Sequence, residues 1–264
     1  MYINLEKKKE INPDKLKDPV ILIGFPGIAL VGKLAITAIR DSIDADLILN
    51  IQCFDFPPKS TVENGNLDIP TAKLYYKNRK SNDFFILTAD YQPHSSEGVF
   101  EFSKRFCEIM DELTNGKIKM YISTGAMVSD KPLEDDEPTV FISGTDQKLM
   151  KSFLKFKNTE IMENGVIAGA NGILPAWAGT NGFAPGICLL AETVPLQMIN
   201  LNPKASKRLV TVLKEYFEID MDYKELDKKI EEMEEMVDKF KEKTDHFMRQ
   251  YREQMGPGDD SYFR

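Results

Sequence analysis

Val20-Ile21-Leu22-Ile23-Gly24-Phe25-Pro26-Gly27-Ile28-Ala29-Leu30-Val31-Gly32-Lys33 runs from an unbroken apolar stretch into a glycine-bounded loop that ends on a lysine. Four consecutive aliphatic residues followed by glycine read as a strand buried on both faces. Leu34 to Ile43, apolar at helical spacing without a breaker, reads as the helix that follows. Strand, loop and helix in that order open an α/β domain. The loop comes close to a phosphate-binding loop, which needs Gly-x4-Gly-Lys and then Ser or Thr, so that backbone N–H groups cradle the phosphates and a hydroxyl reaches magnesium. Gly27 to Lys33 supplies the glycines and the lysine, but position 34 is Leu and the filling is Ile-Ala-Leu-Val. An apolar filling points instead to close backbone packing at the glycines, with Ile28, Leu30 and Val31 docking the turn and helix onto the sheet.

Outward from this start, strand-type and helix-type segments alternate to about residue 217. The pattern predicts strands over 20–24, 46–53, 69–77, 84–89, 118–124, 139–143, 164–169 and 186–191, and helices over 30–43, 95–114, 145–156 and 203–217. The helix over 95–114 is the clearest, with Val99, Phe102, Phe106, Ile109, Met110 and Leu113 on one face and Gly116 just past its end. Asn202-Pro203 starts the last one, a cap followed by proline at the first helical position. Two loops concentrate unusual residues: Asp130 to Pro138 is acidic, and Gly165 to Gly186 holds several glycines, two prolines and the single Trp.

After Asp220 the character changes. Tyr223, Leu226, Ile230, Met233, Val237, Phe240, Thr244, Phe247 and Tyr251 alternate by three and four residues, with charged residues filling nearly all other positions. Such a seam can lie on its own domain, but strict alternation over four heptads favours a coiled coil or helix-bundle contact between copies, with Leu226, Ile230, Met233, Val237, Phe240 and Phe247 as the oligomerisation residues. A helix from Tyr223 to Met255 is about 50 Å long at 1.5 Å per residue. Gly256-Pro257-Gly258 stops it. The chain thus divides into an α/β domain over 1–220, a helical stalk over 221–255 and a flexible tail over 256–264.

The 264 residues carry a net charge of -8 without a clustered basic face, which argues against nucleic acid as partner. Cys53, Cys107 and Cys188 stand far apart in apolar contexts, as buried thiols of a reducing compartment do. No apolar run reaches membrane-spanning length, and the amino terminus with Lys7-Lys8-Lys9 is not a signal peptide, so a cytoplasmic protein is expected. Of the two histidines, His94 begins a helix and His246 falls outside the seam. Neither has a neighbour at metal-ligand spacing, and no Gly-x-Ser-x-Gly elbow occurs, so no metal, cofactor or catalytic residue is assigned. Phe84 to Asp90 could pass for the acidic strand that partners a P-loop, and Glu134-Asp135-Asp136-Glu137 is a charge run of the solvated kind.

The loop over 24–33, taken with Gly165-Val166-Ile167-Ala168-Gly169-Ala170-Asn171-Gly172-Ile173-Leu174-Pro175 and with Gly186-Ile187-Cys188-Leu189-Leu190-Ala191-Glu192-Thr193, resembles the proteasome assembly chaperone 2 family, in particular its archaeal members, over roughly residues 15–217. The resemblance implies a three-layer α/β/α domain similar to nucleoside phosphorylases but lacking their catalytic residues, followed by a long C-terminal helix or coiled coil. It also implies a chaperone that binds proteasome α subunits and assembles with copies of itself or a paralogue. Proteasome activators resemble one another in ending on a hydrophobic residue, a tyrosine and any residue, a tail that enters a pocket of the α ring. Tyr262-Phe263-Arg264 is similar, with Phe263 lacking the hydroxyl of the tyrosine, and these three are the partner-binding residues expected. A second class stays open: a nucleotide- or small-molecule-binding enzyme using the glycine-rich loops at 24–33 and 165–175, where an α/β sheet places its ligand.

Overall fold

A computed structural model describes residues 3–129, 137–193, 201–224, 226–232 and 235. Its elements run β1 (Ile3–Lys7), β2 (Val20–Gly24), α1 (Val31–Ser42), β3 (Asp46–Cys53), β4 (Thr61–Glu63), β5 (Asn66–Asp68), β6 (Thr71–Lys77), β7 (Phe84–Ala89), α2 (Ser96–Thr114), β8 (Met120–Val128), β9 (Val140–Gly144), α3 (Gln147–Phe153), β10 (Thr159–Ile161), α4 (Ala170–Thr180), β11 (Gly186–Thr193) and α5 (Pro203–Phe217). Nine strands form one sheet in the order β1-β3-β6-β7-β2-β8-β11-β9-β10, while β4 and β5 pair only with each other. The four central strands β7, β2, β8 and β11 are parallel. Their carboxyl ends, at Ala89, Gly24, Val128 and Thr193, therefore share one edge of the sheet.

Side-chain alternation along β2 splits the core in two. Val20 and Leu22 pack with α1 and α5 on one face, and Ile21 and Ile23 pack with α2 and α4 on the other. Helices thus cover both faces, which is why the central strands are mostly apolar. At the amino edge the carboxylate of Asp83, fully buried, accepts hydrogen bonds from Tyr76 Oη at 2.9 Å, Asn78 Nδ2 at 3.0 Å and the Arg79 amide at 3.0 Å. Burial, with this carboxylate adding to it, pushes the Tyr76 phenol up to about 12.

Five segments depart from the sequence reading. Residues 164–169, expected as a strand, form no regular element. Gly165 and Gly169 take φ of 159° and 75°, and Val166 is 91 % exposed, so the apolar run there packs no sheet. The next segment is the helix α4, hidden from the reading by Gly172, Pro175 and Gly179. Packing overrides propensity at Gly172 in particular: a Cβ there would sit 2.2 Å from the Ile167 carbonyl oxygen. The edge strands β1 and β10 and the hairpin β4–β5 were also not anticipated. In the hairpin the signal was present, because Asn64-Gly65 takes the left-handed pair of φ values, 49° and 80°, that a two-residue turn demands.

Candidate functional site

The loop after β2 lies where the chain reverses its course across the sheet, the usual ligand position in such folds. Here several backbone groups of the loop and of the segment facing it are already engaged. The Phe25 amide donates to Asn171 Oδ1 at 2.9 Å, and Asn171 Nδ2 donates back to the Phe25 carbonyl at 3.1 Å. Gln92 makes a second bridge, donating to the Pro26 carbonyl while its Oε1 accepts from the Ala170 amide at 2.8 Å. The Leu30 amide closes on Gly27 O at 3.1 Å, with Ala29 and Leu30 in the left-handed region at φ 47° and 51°. Thr124 Oγ1 binds the carbonyls of Ile23 and Gly32, and a Cβ on Gly32 would stand 2.1 Å from Thr124 O. The glycines thus serve close approach of helix and strand. Lys33, the lysine a phosphate would need, pairs with Asp90 at 2.5 Å.

Beside this junction a groove of about 560 Å³ opens between the first turns of α2 and α4, with His94, Val99, Phe100, Gly169 and Ile173 on its walls. Ser95 caps α2 through Gly98 N at 2.9 Å, and its own amide and hydroxyl are held by the Asp55 carboxylate at 2.8 and 2.9 Å. Deeper in, Ser123 Oγ donates to the Asn171 carbonyl and lies 3.2 Å from Cys188 Sγ, without an acid or base within that network. Burial pushes the Cys188 thiol up to about 11 and the Cys107 thiol to about 12, so both are protonated and unreactive at neutral pH. Among the described residues no group of three or more His, Cys, Asp or Glu could hold a metal ion, and no helix is long and apolar enough to cross a membrane.

The C-terminal segment is rooted in the domain. Ile219, Met221 and Leu226 belong to the core that α1 and α5 share, and Leu226 is 2 % exposed. Residues 226–232 are helical and run antiparallel to α5. Rungs from one end to the other fix that direction: Lys214 Nζ to the Met221 carbonyl at 2.6 Å, Thr211 Oγ1 to Tyr223 Oη at 3.3 Å, and Lys207 to Asp227 at 2.5 Å. Lys207 and Lys214 also lie over the Tyr223 ring, at 5.1 and 4.7 Å from its centroid. Ile230, half-buried, faces a cavity of about 470 Å³ with Lys204 and Arg208. The expected seam therefore begins on the chain's own core at Leu226. Met233, Val237, Phe240 and Phe247, like Tyr262, Phe263 and Arg264, lie outside the residues whose side chains the structure describes.

Residues 21–241 match the model of one family, a span that takes in the glycine loop, both core clusters and α5. The chain belongs to the PAC2 family. Among relatives of this PAC2 chain, an uncharacterized protein of Methanocaldococcus jannaschii is 30% identical over 222 residues, 82% of this chain and 80% of the relative. The crystal structure of Pyrococcus furiosus PbaB, an archaeal proteasome activator, is similar at TM-score 0.80 and 23% identity, covering 90% of this chain and 98% of that one. Pyrococcus furiosus PbaA, an archaeal homolog of proteasome-assembly chaperone, is similar at TM-score 0.72 and 23% identity over 96% and 97% of the two chains.

Proposed function

We propose that this PAC2 chain is a non-enzymatic proteasome assembly chaperone or proteasome-binding adaptor that contacts α subunits through the tail Tyr262-Phe263-Arg264. The observation that carries the reading is the likeness of fold to an archaeal proteasome activator across 98% of that protein. The junction supports it, because Lys33, the cation a phosphate would need, is paired with Asp90 and the loop is tied to Asn171 and Gln92. The other reading, an enzyme using loops 24–33 and 165–175, is weakened at the first loop by the Lys33–Asp90 pair. Calorimetry showing magnesium-dependent nucleotide binding that Lys33→Ala abolishes would restore it.

The test is capture of purified proteasome α subunits and of assembled proteasome on the immobilised full chain. Deleting Tyr262-Phe263-Arg264 is expected to weaken capture of assembled proteasome at least tenfold, with the melting temperature of the domain unchanged. A single short tail binds weakly because few apolar contacts offset its ordering, so several tails on one assembly gain by effective concentration. Capture of neither α subunits nor proteasome by the intact chain overturns the proposal. Equal capture by the truncated chain moves the contact from the tail to the α/β body.

A further inference from the structure

The start of α5 is basic where a helix disfavours it. Lys204 stands in the first turn, at the positive end of the helix dipole and without an acidic residue beside it, and Lys207 and Arg208 follow in the next turn. Lys204 and Arg208, four positions apart, share one face of the helix. Both line the cavity of about 470 Å³, whose other walls include Pro138, just before β9, and Ile230 and Glu231 of the helical stretch 226–232. The cavity lies toward the carboxyl edge of the sheet: α5 starts there, where the Asn202 amide donates to the Ala29 carbonyl, and residues 226–232, antiparallel to α5, run back toward it.

Arg208 is a buried cation without a counter-charge. It is 6 % exposed, its guanidinium donates to the Lys157 carbonyl, and its Nε has no hydrogen-bond partner. Among the described residues no carboxylate pairs with Arg208 or with Lys204. The acids nearby are engaged elsewhere: Asp227 with Lys207 at 2.5 Å and Glu137 with Lys157 at 3.3 Å, while Glu231 is exposed to solvent. An unpaired buried charge is costly, and a guanidinium presents its donors as a fork that fits a carboxylate or a phosphate. The volume falls within the range of about 300–1,000 Å³ usual for small-molecule pockets, and Ile230 and Pro138 give the cavity an apolar wall.

We propose that this cavity binds a small oxyanion with an apolar group, its charged head on Arg208 and Lys204 and its apolar part against Ile230. Bound there, the ligand bridges α5 to residues 226–232 and holds the root of the C-terminal segment on the domain. The site goes beyond the proteasome role proposed above and stands or falls without it. Its test is titration calorimetry of the full chain with phenyl phosphate and with benzoate, with benzyl alcohol as the neutral control, at constant ionic strength. At least one of the two anions is expected to bind once per chain with a dissociation constant below about 1 mM, and benzyl alcohol not to bind. The anion that binds names the head group as phosphate or carboxylate. Arg208→Gln and Lys204→Gln are each expected to weaken binding at least tenfold, and Lys148→Gln, exposed and outside the cavity, to leave it unchanged. Lys204 is only half-buried, so its variant decides the matter should Arg208→Gln fail to fold. Amide exchange over residues 226–232 is expected to slow in the bound protein. Binding of neither anion, equal binding of benzyl alcohol, wild-type affinity in Lys204→Gln or an equal loss in Lys148→Gln overturns the proposal. So does binding that leaves exchange over 226–232 unchanged, which places the anion elsewhere.

Discussion

Asn171 joins two loops that lie 146 positions apart in sequence, and it does so with both ends of one amide. Truncating it strands the Phe25 amide and carbonyl in a buried place, at about 1–3 kcal/mol for each group left unpaired. Asn171→Ala is therefore expected to lower the urea midpoint substantially, and an unchanged midpoint would show that Gln92 alone holds the junction. The thiols give a pH dependence of definite sign. Cys188 and Cys107 are raised to about 11 and about 12 from the ordinary 9.0, so the unfolded chain loses these protons first. Their contribution to stability is whole below pH 9.0 and is lost as pH climbs through the folded values. Chemical denaturation from about pH 8 to about pH 11 should show a falling midpoint, with a shallower fall in Cys188→Ala.

At the scale of elements, what could be read in the sequence was whatever local pattern and packing both demanded. β2, β7, α2 and α5 are long or apolar enough that periodicity alone locates them, and Ser95 and Asn202 cap the two helices in the structure. The stretch 164–180 could not be read, because Val166-Ile167-Ala168 has strand composition and α4 carries residues that break helices. Only the neighbours Ile167, Gln92 and Pro175, each crowding a glycine, explain the order found. Of the candidate site, the close packing at Gly32 was legible, but of the apolar filling only Val31 is buried and Ile28, expected to dock on the sheet, is 51 % exposed, because left-handed Ala29 and Leu30 turn the loop outward. Asn171 and Gln92 were not legible, since a bridge between distant segments has no local signature. The seam was legible as a pattern but not where it begins to pack, as Leu226 shows. Asp placed at both Ile230 and Val237 should reduce the mass seen by light scattering, since charge in an apolar contact costs several kcal/mol. An unchanged mass would mean that the whole seam follows Leu226 onto its own domain.

Taken whole, the described body is a sheet covered by helices on both faces, and the segment proposed to meet the proteasome is the C-terminal tail. Phe263→Tyr restores a phenolic hydroxyl at the penultimate position, where it can make a buried hydrogen bond. It is expected to increase stimulation of proteasome peptidase activity, and no increase would mean that the tail docks without acting on the gate. The reach of the tail itself is short, at most about 30 Å for nine extended residues.

The antiparallel ladder between α5 and residues 221–227 has a mechanical consequence. A pull on the C-terminus away from the carboxyl edge acts along the axis of the helix. Its contacts with α5, from Lys214–Met221 to Lys207–Asp227, are then loaded in shear, all together, instead of being peeled one at a time. Forced detachment is governed by the rate of crossing one barrier, and parallel loading makes that barrier the sum of the rungs and of Leu226 leaving the core. A load-bearing attachment of this geometry suits the docking by the tail that is proposed above.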